Sequence, residues 1–222
     1  MKISRNNLSD EVYDRLLDLI RNLTLEPGSR LDFNELENRF GVSRAPIREA
    51  VQRLMGKGLI TSTPRGGYRV VKLVPEDIRS IFEVRRTIEK DALRRSITKI
   101  PREKLLKIKA IFDEELKGFT ETNQQTPSKK YKQADWDLHF ELIVGYSGSE
   151  ILKQLSSSIF DLVETSRSHI DTLSDNSFSH VQIVDAILNQ DLDTALSVLD
   201  AHLQRAQNRV VESTINKKQE TN

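Results

Sequence analysis

The chain has 222 residues, 37% hydrophobic and 30% charged, enough apolar side chains for one large core or two small ones. No uninterrupted apolar run exceeds three residues and cysteine is absent, so no membrane-spanning helix, signal-peptide core, disulfide, thiol catalysis or cysteine-based zinc finger is expected, and the expected location is cytoplasmic. The net charge of +1 hides an asymmetry: residues 1–73 hold 13 Lys/Arg against 9 Asp/Glu, while the remainder holds 21 against 24. A basic end on an acidic body suits a module that meets phosphate joined to one that does not.

In the first third, from Ser9 as N-cap, Val12, Leu16, Leu19, Ile20 and Leu23 recur at helical spacing, and Glu26-Pro27-Gly28 is the expected stop. Asp32 caps a short second helix with Phe33, Leu36 and Phe40 on its apolar side. Gly41-Val42-Ser43 is a tight turn, with Ser43 as N-cap of a third helix that buries Ile47, Val51 and Leu54. Pro46 fits in its first turn, and Arg44 and Arg48, four apart, share a different face. Leu59–Thr63 and Tyr68–Val71 are β-rich runs around Pro64-Arg65-Gly66-Gly67, a hairpin signal.

Everything after Pro75 reads as helix, at about 75–97, 101–119, 129–146, 149–172, 177–189 and 191–214, with a polar loop over Thr120–Ser128 and a frayed tail from Lys217. The predicted fold is therefore mostly α: a winged helix-turn-helix over 1–73, then an all-α helical bundle over 75–215.

Three helices with a glycine-containing turn before an arginine-bearing helix, followed by a hairpin, suit a duplex groove. The third helix enters the major groove, where an arginine fork can pair with O6 and N7 of guanine. Gly66 and Gly67 let the hairpin backbone come close to the adjacent groove or phosphates. The alternative is that Arg44 and Arg48 only solvate a helix surface.

Pro27-Gly28, Phe40-Gly41-Val42-Ser43-Arg44-Ala45-Pro46-Ile47-Arg48-Glu49-Ala50, Leu54, Gly58-Leu59-Ile60 and Pro64-Arg65-Gly66-Gly67-Tyr68-Arg69-Val70 resemble the winged-helix domain of GntR-type bacterial transcription regulators. The resemblance implies double-stranded operator DNA as partner, with Ser43, Arg44 and Arg48 touching it and Gly66 as the wing glycine. Some members carry a base-contacting arginine in the second helix, where Asn34 stands here.

The four histidines are informative by position. Asp135 and His139 are i, i+4 on a face that Leu142, Ile143 and Tyr146 extend inward. His180 runs into Ile183 and Ile187, and His202 follows Ala195, Val198 and Leu199. His180 and His202 are equidistant from the turn near Asp191, so in an antiparallel hairpin they should face each other. Together with Asp135 and His139 they would make a three-nitrogen, one-oxygen site, suited to zinc or another first-row divalent ion. The alternative is a set of hydrogen-bonded core histidines. His169 is expected at the surface or behind the ligands, and Trp136 in packing.

Glu83-Val84-Arg85-x-x-Ile88-Glu89, Asp135-x-x-Leu138-His139, His180-x-x-Ile183-x-x-Ala186-Ile187 and Ala195…His202-Leu203 resemble the FCD ligand-binding domain of the FadR branch of GntR regulators, best its six-helix, VanR-like form. That resemblance implies a metal, zinc or nickel in some members, held by Asp135, His139, His180 and His202 beside a small carboxylate effector. It also places Arg85 in the pocket as the effector's clamp; read alone, Arg85 could simply pair with Glu89 at i+4. Leu138 replaces the usual phenylalanine before the first histidine. The expected function is a homodimeric, effector-controlled DNA-binding regulator and not an enzyme; the competing readings are a constitutive DNA-binding protein with a structural metal, or a metal-dependent hydrolase.

Overall fold

The apolar spacing of the first seventy residues is realised as three helices and a two-stranded hairpin in a computed structural model that describes residues 6–64, 66–122, 127–167 and 176–220. Helix α1 (Asn6–Arg21) buries Val12, Tyr13, Leu16, Leu17 and Ile20. It begins before Ser9, which lies inside its first turns rather than capping them. It also ends well before Glu26-Pro27-Gly28, because Leu23 takes a positive φ of 58° that no helix continues through. Helix α2 (Phe33–Phe40) is capped by Asp32, whose carboxylate accepts from the amides of Asn34 and Glu35 at 2.8 and 3.3 Å. It closes on Gly41 at φ 65°, the left-handed conformation that favours glycine. Helix α3 (Arg44–Gly56) buries Ile47, Ala50, Val51 and Leu54.

Strands β1 (Ile60–Ser62) and β2 (Tyr68–Val70) pair antiparallel with Ile60 opposite Val70 and Ser62 opposite Tyr68. The Gly28 and Leu31 amides donate to the carbonyls of Val70 and Tyr68 at 3.0 and 2.9 Å, so the segment before α2 runs along the other edge of β2. This first unit comprises Met1–Val74 and Asp161–Ser168. Within it, buried Asp161 pairs with Arg21 at 2.5 Å and Lys57 at 2.6 Å. Burial alone would lower the Lys57 ammonium, but its bond to Asp161, with Tyr13 nearby, outweighs that and holds it above the ordinary lysine value. Leu16, Ile20, Ile47, Leu54 and Leu59 are fully enclosed, each worth about 1.5–3 kcal/mol over exposure.

The second unit, Pro75–Phe160 with His169–Asn222, is helical. Its elements are α4 (Pro75–Ser96), α5 (Arg102–Thr122), α6 (Lys129–Trp136), the part of α7 (Glu150–Arg167) up to Phe160, α8 (Asn176–Leu188) and α9 (Leu192–Glu220). Helix α9 packs on α4 and α8, and α8 on α5. The single helix expected over 129–146 is divided. After Trp136 the backbone widens into a π-helical turn, Asp137–Val144, then tightens into a 3₁₀ turn, Gly145–Ser147. Leu138, His139, Phe140, Leu142, Ile143 and Val144 are all buried there, a run that a solvent-facing α-helix would partly expose. The tail expected to fray instead continues α9 through Glu220. No helix among the described residues is long and apolar enough to cross a membrane.

Candidate metal centre and nucleic-acid interface

Helix α6, the π-helical turn, α8 and α9 bring Asp135, His139, His180 and His202 into one buried cluster. One ligand atom from each lies within 4.8 Å of all the others. The His180 and His202 rings are 4.4 Å apart across the α8–α9 pair, as equidistance from the Asn189–Asp191 turn requires. His139 stacks on His202 at 5.0 Å. Asp135 Oδ1 is 2.7 Å from His180 Nε2, without hydrogen-bond alignment, and 3.9 Å from His139 Nε2.

The opposite edge of each imidazole is occupied. His139 Nδ1 lies 2.5 Å from Glu89 Oε2, His180 Nδ1 lies 2.9 Å from the Tyr131 hydroxyl, and His202 Nδ1 lies 3.3 Å from Ser179 Oγ. Phe112 stacks on His180 at 4.7 Å. Nε2 of His139 is buried with no hydrogen-bond partner among the described residues. Three nitrogens and one carboxylate converging in a buried core could hold a divalent first-row ion. Burial holds His202 well below the ordinary histidine value, and the neighbouring His180, His139 and Arg85 push the same way against Asp135, so its ring is neutral, the form that can ligate.

Arg85 is not a solvated helix charge: it is 2% exposed on α4, its Nε donates to Glu89 Oε1 at 2.5 Å, and its guanidinium lies 4.9 Å over the Phe160 ring. Of the two expectations for Arg85, the geometry holds the i+4 pair with Glu89, and that pair lies inside the core. Burial by itself would raise the Glu89 carboxyl, but Arg85 and His139 outweigh it and keep it below the usual carboxylate range.

In the first unit, Ser43, Arg44 and Arg48 are exposed at the start of α3, beside Ala45, Glu49 and Gln52. Ser43 has the backbone of an N-cap, but its side chain makes no capping bond. Arg44 donates to Asn34 Oδ1 at 2.5 Å and pairs with Glu37 at 3.2 Å, so Asn34 on α2 steers an arginine of α3. Arg48 makes no ion pair among the described residues. Gly66 is exposed at the hairpin tip with a φ of 76°, where a side chain would strain the backbone; Arg65 and His169 lie outside the described residues.

Sequence reasoning missed the partners behind the ligands. Tyr131 precedes Asp135 by four and Ser179 precedes His180 by one, spacings that place them beside ligands but do not say which ring edge they meet. Glu89 was visible only as the partner of Arg85. Trp136 packs against Phe140 and Phe160 at 4.9 and 5.8 Å.

Comparison with known proteins accounts for both units. Residues 8–70 match the bacterial regulatory proteins of the gntR family and residues 80–205 match the FCD domain. The uncharacterized HTH-type transcriptional regulator YdhC of Bacillus subtilis (strain 168) is 30% identical over 157 residues, 71% of this chain and 68% of that one. The solved structure of E. coli McbR/YncC aligns with a TM-score of 0.76 at 18% identity, over 93% of this chain and 98% of that one. The metal-free FCD domain of TM0439 aligns at 0.57 and 22% identity, over 65% and 99%. Likenesses at these identities speak to fold alone, whereas the two family matches and the curated relative speak to descent and to a role in transcription rather than catalysis. The chain belongs to the GntR family of DNA-binding transcriptional regulators, with a gntR-type helix-turn-helix domain followed by an FCD domain.

Proposed function

We propose that the protein is a cytoplasmic, homodimeric regulator whose operator affinity is set by a small carboxylate bound beside a divalent metal in its FCD domain. The observation that carries this reading is the buried convergence of Asp135, His139, His180 and His202, each imidazole held at Nδ1 so that Nε2 is turned to a common point. Those four residues would hold the ion, zinc first among the first-row candidates with nickel next. When bound, a metal that accepts five or six ligands would supply a Lewis-acidic centre with one or two positions left for an effector oxygen. Arg85, anchored through Nε, offers its two terminal nitrogens to the same carboxylate.

Ser43, Arg44, Arg48 and Gly66 would meet the DNA, Arg44 and Arg48 at base edges and Gly66 through its backbone. Two copies would read a pseudo-palindrome, because one winged helix reaches few bases. An effector changes operator affinity only as far as it prefers one arrangement of the protein over another. Helix α4 is the natural lever, since it follows the hairpin in the chain and carries Arg85.

The test is His180→Ala and His202→Ala, each assayed by elemental analysis and by operator titration against a panel of small carboxylic acids. Both should lose metal and effector response while the first unit stays folded. Full metal occupancy, or an intact response, in both variants refutes the site.

A further inference from the structure

We propose that Glu89 is a positioning residue that holds His139 in its metal-binding tautomer and pins Arg85 with the same carboxylate, so that anion capture and metal ligation act on each other through one side chain. This rests on the metal-and-carboxylate reading above and adds the residue that couples its two halves.

Glu89 is 0% exposed, and its two oxygens are divided between two partners: Oε1 takes Arg85 Nε and Oε2 takes His139 Nδ1, both at 2.5 Å. A carboxylate can only accept hydrogen bonds, so His139 must carry its proton on Nδ1. The lone pair then sits on Nε2, the edge turned toward Asp135. His180 and His202 have hydroxyl partners, from Tyr131 and Ser179, which can donate or accept and so fix no tautomer. At Nδ1 the partner described for His139 is a carboxylate where those of His180 and His202 are hydroxyls, and that carboxylate is shared with Arg85.

The sharing gives the coupling its direction. An anion placed on the Arg85 fork draws part of the guanidinium's attraction away from Glu89. The carboxylate then bears more strongly on the His139 proton and makes Nε2 a better donor to the metal. By reciprocity, metal on Nε2 favours the anion.

Glu89→Gln tests this because the amide keeps the shape and loses an acceptor. Two donors, Arg85 Nε and His139 Nδ1, converge where only one oxygen remains. If that oxygen serves Arg85, the amide nitrogen can be satisfied only by a His139 protonated on Nε2, which blocks the ligand atom. Nitrogen-15 NMR of the imidazoles in the full-length wild type should show His139 protonated on Nδ1, and in Glu89→Gln a shift toward Nε2. Cobalt(II) titration, followed by visible absorption, should show affinity falling about 10- to 100-fold in Glu89→Gln. Saturating acetate should raise cobalt affinity in the wild type, and less so in the variant.

A wild-type His139 protonated on Nε2, cobalt affinity equal in the two proteins, or an equal acetate effect overturns the role of Glu89. A wild type that takes up no cobalt overturns the metal reading beneath it, a separate result. Should Glu89→Gln fail to fold around an uncompensated Arg85, the neutral pair Arg85→Met/Glu89→Leu, which leaves His139 Nδ1 no acceptor at this position, replaces it in the cobalt titration. The same loss of affinity is expected there, and wild-type affinity in that pair overturns the proposal.

Discussion

Replacing His202 with glutamine should flatten the acid sensitivity of the metal-free second unit. His202 is buried with His180 from α8, His139 from the π-helical turn, Asp135 from α6 and Arg85 from α4 around it, and its pKa lies well below the ordinary 6.5. The sign follows from linkage. A histidine whose folded pKa is depressed binds a proton in the unfolded chain but not in the folded one, so stability is full above the unfolded pKa and is lost as pH falls through it. With an unfolded value of about 6.5, the loss between pH 7.5 and 5.5 is about 1.4 kcal/mol from this one side chain. At a urea slope of about 1.5–3 kcal/mol per molar, that moves the unfolding midpoint by about 0.5–1 M. Urea unfolding in chelator at the two pH values, followed by a signal from the second unit, measures it. The wild type should lose about 1.4 kcal/mol more than His202→Gln. Identical pH dependence in the two proteins would show that His202 is not held neutral and would remove it from the ligand set. Zinc should stabilise the wild type more at pH 7.5 than at 5.5, because protons compete for the same nitrogens.

Two further outcomes test the DNA-facing unit. Arg44→Ala and Arg48→Ala should each weaken operator binding by about 1–3 kcal/mol if they pair with guanine edges, and unchanged affinity in both would remove α3 as the reading helix. Sedimentation at operator-binding concentrations should give a dimer; a monomer on intact operator refutes two-fold reading.

The mostly helical fold was legible because periodic burial and turn chemistry are local, and the family because contiguous motifs such as Phe40–Ala50 resemble it. Ile47, Val51 and Leu54 at helical spacing, Asp32 as a cap and Gly41 as a left-handed stop each follow from a few neighbouring residues. The convergence of His180 and His202 was legible for a different reason: equal distance from a short turn fixes equal height on an antiparallel pair. Charge inside helices was not. A solvent-facing reading of Arg85 and Glu89 is correct for most i+4 pairs, yet here both are enclosed, and the third member, His139, comes from a helix fifty residues away. The π-helical turn carries no local signature either, since it is sustained by packing of the whole run Leu138–Val144 rather than by any residue's preference. Nor does anything in the segment 161–168 announce that Asp161 pairs with Arg21 and Lys57 of the first unit.

The central claim is a metal held by one carboxylate and three imidazoles in the FCD domain, and zinc K-edge X-ray absorption on the full-length, zinc-loaded protein addresses it most directly. The expected spectrum has three imidazole nitrogens at about 2.0–2.1 Å and at least one oxygen at about 2.0–2.2 Å, with an imidazole contribution that falls by one in His180→Ala. A zinc-loaded wild type showing fewer than two imidazoles, or a spectrum unchanged by His180→Ala, would contradict it.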